Sequence, residues 1–71
     1  MSIDEILKSI RKELSISQET LARDLNVSFT TLNRWENNRA NPSRLAMIQI
    51  KEYCINRGVS DDLLAALERT K

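Results

Sequence analysis

The fold is decided between residues 18 and 38, where the chain reads QETLARDLNVSFTTLNRWENN. Ser17 and Ser28 stand where helix N-caps belong, and leucines follow each of them at helical spacing. Between the two runs lies Asn26, a residue that tolerates the left-handed backbone of a sharp corner. The stretch therefore predicts two short helices, at about 18–25 and 29–37, joined by a tight turn.

The flanking sequence predicts three more helices around this corner. An apolar stripe with spacing of three and four residues predicts a helix at about 2–14, with Ser2 and Glu5 as its capping box. Asn41 before Pro42, and later Ser60, predict helices at about 42–57 and 61–69. The expected structure is a single all-α domain of five helices over residues 1–71.

Composition limits the class of protein. The chain has one glycine and one proline, which disfavours an all-β fold with many turns. Cys54 is the only cysteine, so an internal disulfide is excluded and a reducing cytoplasm fits. The N-terminal residues alternate charged and apolar side chains, which is typical neither of a signal peptide nor of a membrane span.

Enzymatic chemistry is disfavoured by the same composition. The chain has no histidine, its single cysteine lies in an apolar helix, and no glycine-rich phosphate loop is present. No nucleophile–base pair can be assembled from these residues. We therefore expect no catalytic residue, no metal and no cofactor.

The central stretch resembles the phage repressor and Cro-like (xenobiotic-response-element type) helix-turn-helix family over roughly residues 6–55. The residues that carry the resemblance are Gln18, Leu21, Ala22, Asn26, Val27, Ser28, Leu32, Trp35, Glu36, Arg39 and Pro42. The sequence departs from the family at Asn26 and Asn38, where glycine is usual, and at Phe29, where a polar residue is common. The resemblance implies a lambda-repressor-like fold and a cytoplasmic transcription regulator of bacterial, archaeal or phage type that binds double-stranded DNA.

In this family the third helix lies in the major groove, which implies base contacts from Phe29, Thr30, Asn33 and Arg34. The guanidinium of Arg34 matches the acceptors of guanine, and the amide of Asn33 prefers adenine. Phe29 could pack on a thymine methyl group. The alternatives are that Arg34 is a solvated cation and that Phe29 packs against the loop.

The resemblance also implies contacts with phosphates, from Gln18, Ser28, Asn37, Asn38, Arg39 and Arg44. The net charge of the chain is only +1, but the cations between Val27 and Lys51 are opposed there by Glu36 alone. This local excess of positive charge favours a DNA-binding face. Arg39 and Arg44 could equally serve to cap and flank the loop.

Glu36 would repel phosphates unless a cation neutralises it. The family commonly pairs this glutamate with an arginine of the first helix, and Arg11 stands at the matching position. We expect a partly buried Arg11–Glu36 ion pair, with two solvent-exposed side chains as the alternative.

Residues 45–55, LAMIQIKEYCI, are too densely apolar for a single helical stripe. We expect Leu45, Met47, Ile48 and Ile55 in the core, with Ile50, Tyr53 and Cys54 on a second surface. That surface or the last helix could form a homodimer, or the last helix could only close the core. The chain could also be part of a larger protein.

Two functions remain open from the sequence. The first is sequence-specific DNA binding, which the cluster of Arg34, Arg39 and Arg44 favours. The second is a helix-turn-helix module that binds protein, as an adaptor or an antitoxin-like partner. The low net charge and Phe29 at the start of the third helix favour this alternative.

Overall fold

A computed structural model describes residues 1–70, which form five α-helices and no strand. The helices are α1 (Ile3–Leu14), α2 (Gln18–Asp24), α3 (Phe29–Glu36), α4 (Arg44–Arg57) and α5 (Asp61–Arg69). None of them is long and apolar enough to cross a membrane. The predicted all-α class with five helices is confirmed over this part of the chain.

A serine precedes the first residue of each of these helices. The hydroxyl oxygens of Ser17, Ser28 and Ser43 accept a backbone N–H three residues later, at 3.1, 3.0 and 3.1 Å. The N–H of Ser2 donates to the carboxylate of Glu5 at 3.1 Å, which completes the predicted capping box. These bonds satisfy donors that a helix leaves without an internal partner.

The start of α4 differs from the prediction. The helix begins at Arg44 rather than at residue 42, and its N-cap is Ser43 rather than Asn41. Pro42 consequently lies before the cap instead of at the first helical position. The physical reason is the Ser43 hydroxyl, which accepts the N–H of Ala46 and so ends the loop two residues later than Asn41 would. The other helices begin and end within one residue of their expected bounds.

The corner between α2 and α3 is built as its sequence predicts. Asn26 has φ +60°, in the left-handed region, and Asn38 after α3 has φ +58°. The N–H of Val27 donates to the carbonyl of Ala22 at 3.0 Å, which closes the turn. The Ala22 side chain is buried, so the two helices meet over a small residue. Asparagine thus adopts the left-handed backbone at both positions where the family usually has glycine.

One hydrophobic core lies between the helices, and α1 packs against both α3 and α5. Its buried apolar members are Ile3, Ile6, Leu7, Ile10, Leu21, Ala22, Leu25, Leu32, Trp35, Ile50, Cys54, Val59, Leu63, Ala66 and Leu67.

The orientation of α4 differs from the prediction, and of the four residues expected in the core only Met47 packs against it. Leu45, Ile48 and Ile55, expected in the core, are 67%, 45% and 63% exposed, while Ile50 and Cys54 are buried. Apolar residues surround this helix, so hydrophobic periodicity could not show which face packs inward. The choice is made by the fit of Ile50 and Cys54, which lie one turn apart, against the other helices.

Arg11 of α1 and Glu36 of α3 form an ion pair with two hydrogen bonds. Arg11 Nε donates to Glu36 Oε2 at 2.9 Å, and Arg11 Nη2 donates to Glu36 Oε1 at 2.6 Å. The Glu36 side chain is 2% exposed and that of Arg11 is 26% exposed. The hydrogen bonds to Glu36 raise the pKa of the Arg11 guanidinium further above its ordinary value. This pair fixes α1 against the C-terminal end of α3.

A second polar contact joins the end of α2 to α4. The hydroxyl of Tyr53 donates to Asp24 Oδ2 at 2.9 Å, and Arg57 Nη1 donates to the same oxygen at 3.2 Å. Burial and the hydrogen bond to Asp24 raise the pKa of Tyr53 to about 12, so its hydroxyl stays protonated at neutral pH. This contact holds the C-terminal end of α2 against α4.

The Arg11–Glu36 pair predicts a large stability difference between two glutamate variants. Glu36→Gln should lower the free energy of unfolding by about 3 kcal/mol, because Arg11 then faces a neutral amide in a largely buried site. For a domain of this size the melting temperature should fall by more than about 10 °C. Thermal and urea unfolding followed by circular dichroism would measure both quantities.

The matched control is Glu68→Gln. Glu68 pairs with Lys51 at 2.9 Å, but the Glu68 side chain is 68% exposed, in contrast to the buried Glu36. Such a surface pair contributes only ~0–1 kcal/mol, so the melting temperature of this variant should barely move. Equal, small shifts for the two variants would contradict the stabilising role assigned to the buried pair.

Candidate nucleic-acid interface

Helix α3 has one buried face and one face turned to solvent. Leu32, Trp35 and Glu36 are buried, and they hold the helix against the core. Thr30 and Arg34 are exposed, and the ring of Phe29 is 50% exposed. The exposed Phe29 ring therefore does not serve as a core residue, and the face offers an aromatic, a hydroxyl and a guanidinium group side by side.

Asn33 differs from the other expected base-contacting residues. Its side chain is partly buried, and its Nδ2 donates to Gln18 Oε1 of α2 at 3.2 Å. Its Oδ1 accepts from Asn37 Nδ2 at 2.9 Å. The structure thus joins Gln18, Asn33 and Asn37 into one chain of side-chain amides. Sequence reasoning assigned these three residues to DNA but missed their contacts with each other, because a bond between α2 and α3 depends on the angle of the corner.

Ser28 also has a structural role. Its hydroxyl accepts the N–H of Thr31 at 3.0 Å and donates to the Thr31 side-chain oxygen at 2.8 Å. The Ser28 side chain is therefore engaged in capping α3.

The loop after α3 carries the remaining phosphate candidates. Asn37, Asn38 and Arg39 are exposed, and so is Arg44 at the first position of α4. The left-handed Asn38 reverses the chain, and the N–H of Arg39 donates to the carbonyl of Arg34 at 2.9 Å. The loop consequently starts beside the exposed face of α3.

Positive charge on this side of the molecule is not cancelled internally. Over residues 1–70 the ion pairs use Arg11, Lys51 and Arg57 as cations. Arg34, Arg39 and Arg44 are therefore not neutralised by a carboxylate within these residues. Glu36, the acidic residue between them in sequence, faces inward and is neutralised by Arg11.

The one cysteine shows no sign of reactivity. Cys54 lies in the core, and burial raises the pKa of its thiol to about 11. The thiol is protonated at neutral pH, whereas nucleophilic chemistry requires the thiolate.

Comparison with known families matches residues 7–55 to a family model described as Helix-turn-helix. The matched range runs from α1 through most of α4 and includes the corner, the exposed face of α3 and the loop after it. Neither the curated proteins nor the solved structures gave a match to the chain.

Proposed function

This chain belongs to the phage repressor and Cro-like helix-turn-helix family, a family of DNA-binding domains, and we propose that it regulates transcription by sequence-specific binding of double-stranded DNA. The observation that carries this proposal is the exposed face of α3, which carries Arg34 and is followed along the chain by Arg39 and Arg44. None of these three arginines has an ion pair within residues 1–70. An α-helix fits the major groove of B-form DNA, and unpaired arginines neutralise its phosphates.

Base reading is assigned to the exposed residues of α3. Arg34 is the principal candidate, because its planar fork can donate two parallel hydrogen bonds to O6 and N7 of guanine. The Thr30 hydroxyl can donate or accept one hydrogen bond at a base edge. Phe29 can cover a thymine methyl group, a contact that requires only apolar surface such as its half-exposed ring.

Phosphate binding is assigned to Arg39 and Arg44, with neutral contacts from Gln18, Asn37 and Asn38. Both arginines are exposed and flank the loop that starts beside α3. Charged contacts of this kind release condensed counterions, so they set the affinity and its dependence on salt, while neutral donors mainly fix orientation.

The first test is the salt dependence of DNA binding. Duplexes recovered by selection from a random pool should bind with an affinity that falls steeply between about 50 and 200 mM salt. Arg39→Ala and Arg44→Ala should each weaken binding on all duplexes and reduce the slope of log K against log salt by about one. Fluorescence polarisation over a series of salt concentrations would measure these slopes.

The control for that series is Lys12→Ala, which removes an exposed cation from α1 and should leave both affinity and slope nearly unchanged. Two results would contradict the proposed phosphate contacts. One is DNA binding that does not depend on salt, and the other is a salt slope that changes as much in Lys12→Ala as in Arg39→Ala.

A second prediction concerns specificity. Arg34→Ala should reduce discrimination at one base pair by about 1–3 kcal/mol, because the lost contact is a bidentate one to a base edge. Affinities for duplexes with single base-pair changes, measured for wild type and variant, would show the effect. A uniform loss over all duplexes would instead make Arg34 a phosphate contact.

The competing function is a protein-interaction module, which the half-exposed Phe29 and the apolar outer face of α4 favour. The salt series separates the two functions. A module that binds only protein should show no salt-dependent affinity for any duplex, and Phe29→Ala should then abolish binding of the protein partner.

Two copies of the chain are proposed to associate through the outer face of α4. Leu45, Ile48, Glu52 and Ile55 recur at spacings of three, four and three, the seam spacing of paired helices. Three of these side chains are large, apolar and exposed. A contact over one helix is small, which implies weak association in solution.

This association predicts a concentration-dependent mass. Light scattering should report a monomer at about 10 µM and a rising average mass towards about 500 µM, as expected for an interface below ~1,200 Å². Ile48→Lys should reduce association, because it places a charge within the exposed apolar stripe of both copies. A monomeric mass throughout the range would contradict the proposal.

A further inference from the structure

The side chains of Gln18, Asn33 and Asn37 form a directed chain of hydrogen bonds across the corner. Asn37 Nδ2 donates to Asn33 Oδ1 at 2.9 Å, and Asn33 Nδ2 donates to Gln18 Oε1 at 3.2 Å. Gln18 and Asn33 therefore each accept, at the amide oxygen, a hydrogen bond from the next of the three residues. Amides linked in one direction polarise each other, which strengthens the whole chain.

The direction of this chain determines which atom of Gln18 remains available. The oxygen Oε1 is occupied by Asn33, so the Nε2 group, with two N–H donors, is left for an external partner. A phosphate oxygen is purely an acceptor, so it requires a donor. The opposite direction would direct the Gln18 oxygen outward, where it would repel a phosphate.

The position of Asn33 on α3 explains why its amide can hold the Gln18 side chain. It lies on α3 between the buried side and the exposed face, it is partly buried, and Asn37 follows one helical turn later. Thr30 and Arg34, in contrast, are exposed to solvent. The Asn33 amide is thus held by two neighbours within the protein, and turning it towards a base edge for a bidentate adenine contact would break both of these bonds.

We propose that Asn33 is a positioning residue that holds Gln18 with its amide donors towards the DNA backbone, and that base reading falls to Phe29, Thr30 and Arg34. This inference rests on the proposed DNA binding and assigns Asn33 a different role within it. Pre-ordering the Gln18 side chain before DNA arrives reduces the entropy lost on binding.

The first measurement uses the free protein and needs no DNA. The ¹⁵N relaxation of the Gln18 side-chain amide should report restricted motion in the wild type and an order parameter below about 0.6 in Asn33→Ala. The control is Asn56→Ala, which removes an exposed asparagine from α4 and should leave the order parameter of the Gln18 amide unchanged. An unchanged Gln18 amide in Asn33→Ala would overturn the proposal.

The second measurement is a double-mutant cycle on duplex DNA with Asn33→Ala, Gln18→Ala and the double variant. A single neutral hydrogen bond corresponds to about a three- to tenfold change in affinity. Asn33→Ala should lose that factor equally on every base-pair variant of the duplex, with the salt slope unchanged. The double variant should bind no worse than Gln18→Ala, because the two residues act through one contact.

The outcomes are distinguishable. If Asn33→Ala changes the preference at one base pair and its loss adds to that of Gln18→Ala, Asn33 reads a base and the proposal is wrong. If the melting temperature falls strongly in Asn33→Ala alone, and Gln18→Ala leaves affinity intact, the chain of amides only stabilises the fold and the proposal is again wrong. If the wild type shows no salt-dependent duplex binding, the proposed function fails and the role of Gln18 fails with it.

Discussion

The buried Glu36 carboxylate is the constraint on which the position of α3 depends. Taking a carboxylate out of water is strongly unfavourable unless a cation and hydrogen bonds compensate, and Arg11 supplies both. The geometry tolerates little movement, so α1 and α3 are held in one relative orientation. The same contact removes a negative charge from the side of the molecule that carries Arg34 and Arg39. One interaction therefore orders the helix and shapes the charge around it.

The angle between α2 and α3 depends on two further features. The left-handed Asn26 reverses the backbone over the buried Ala22. Gln18 and Asn33 then join the side chains of the two helices at their outer edge. Backbone conformation sets the corner, and the amide contact limits its remaining freedom. An interface that is ordered before its ligand binds loses less entropy when the complex forms.

Helix α4 has apolar residues on both of its faces, which has two consequences. Its inner face, with Ile50 and Cys54, completes the core and holds the end of α2 through Tyr53 and Asp24. Its outer face leaves large apolar side chains in water, an arrangement that is common where a second protein surface packs. Stability and the proposed association therefore make different demands on this one helix.

Local sequence by itself determined the class of fold, the number of helices and the corner, because serine caps, hydrophobic stripes and a left-handed asparagine act within a few residues. The family resemblance also predicted the Arg11–Glu36 ion pair, which the structure contains. Only the tertiary structure decided which face of α4 is buried, because apolar residues surround that helix and periodicity cannot select a side. It also decided that Asn33 contacts Gln18. That contact joins residues on different helices, and it exists only at one angle between them.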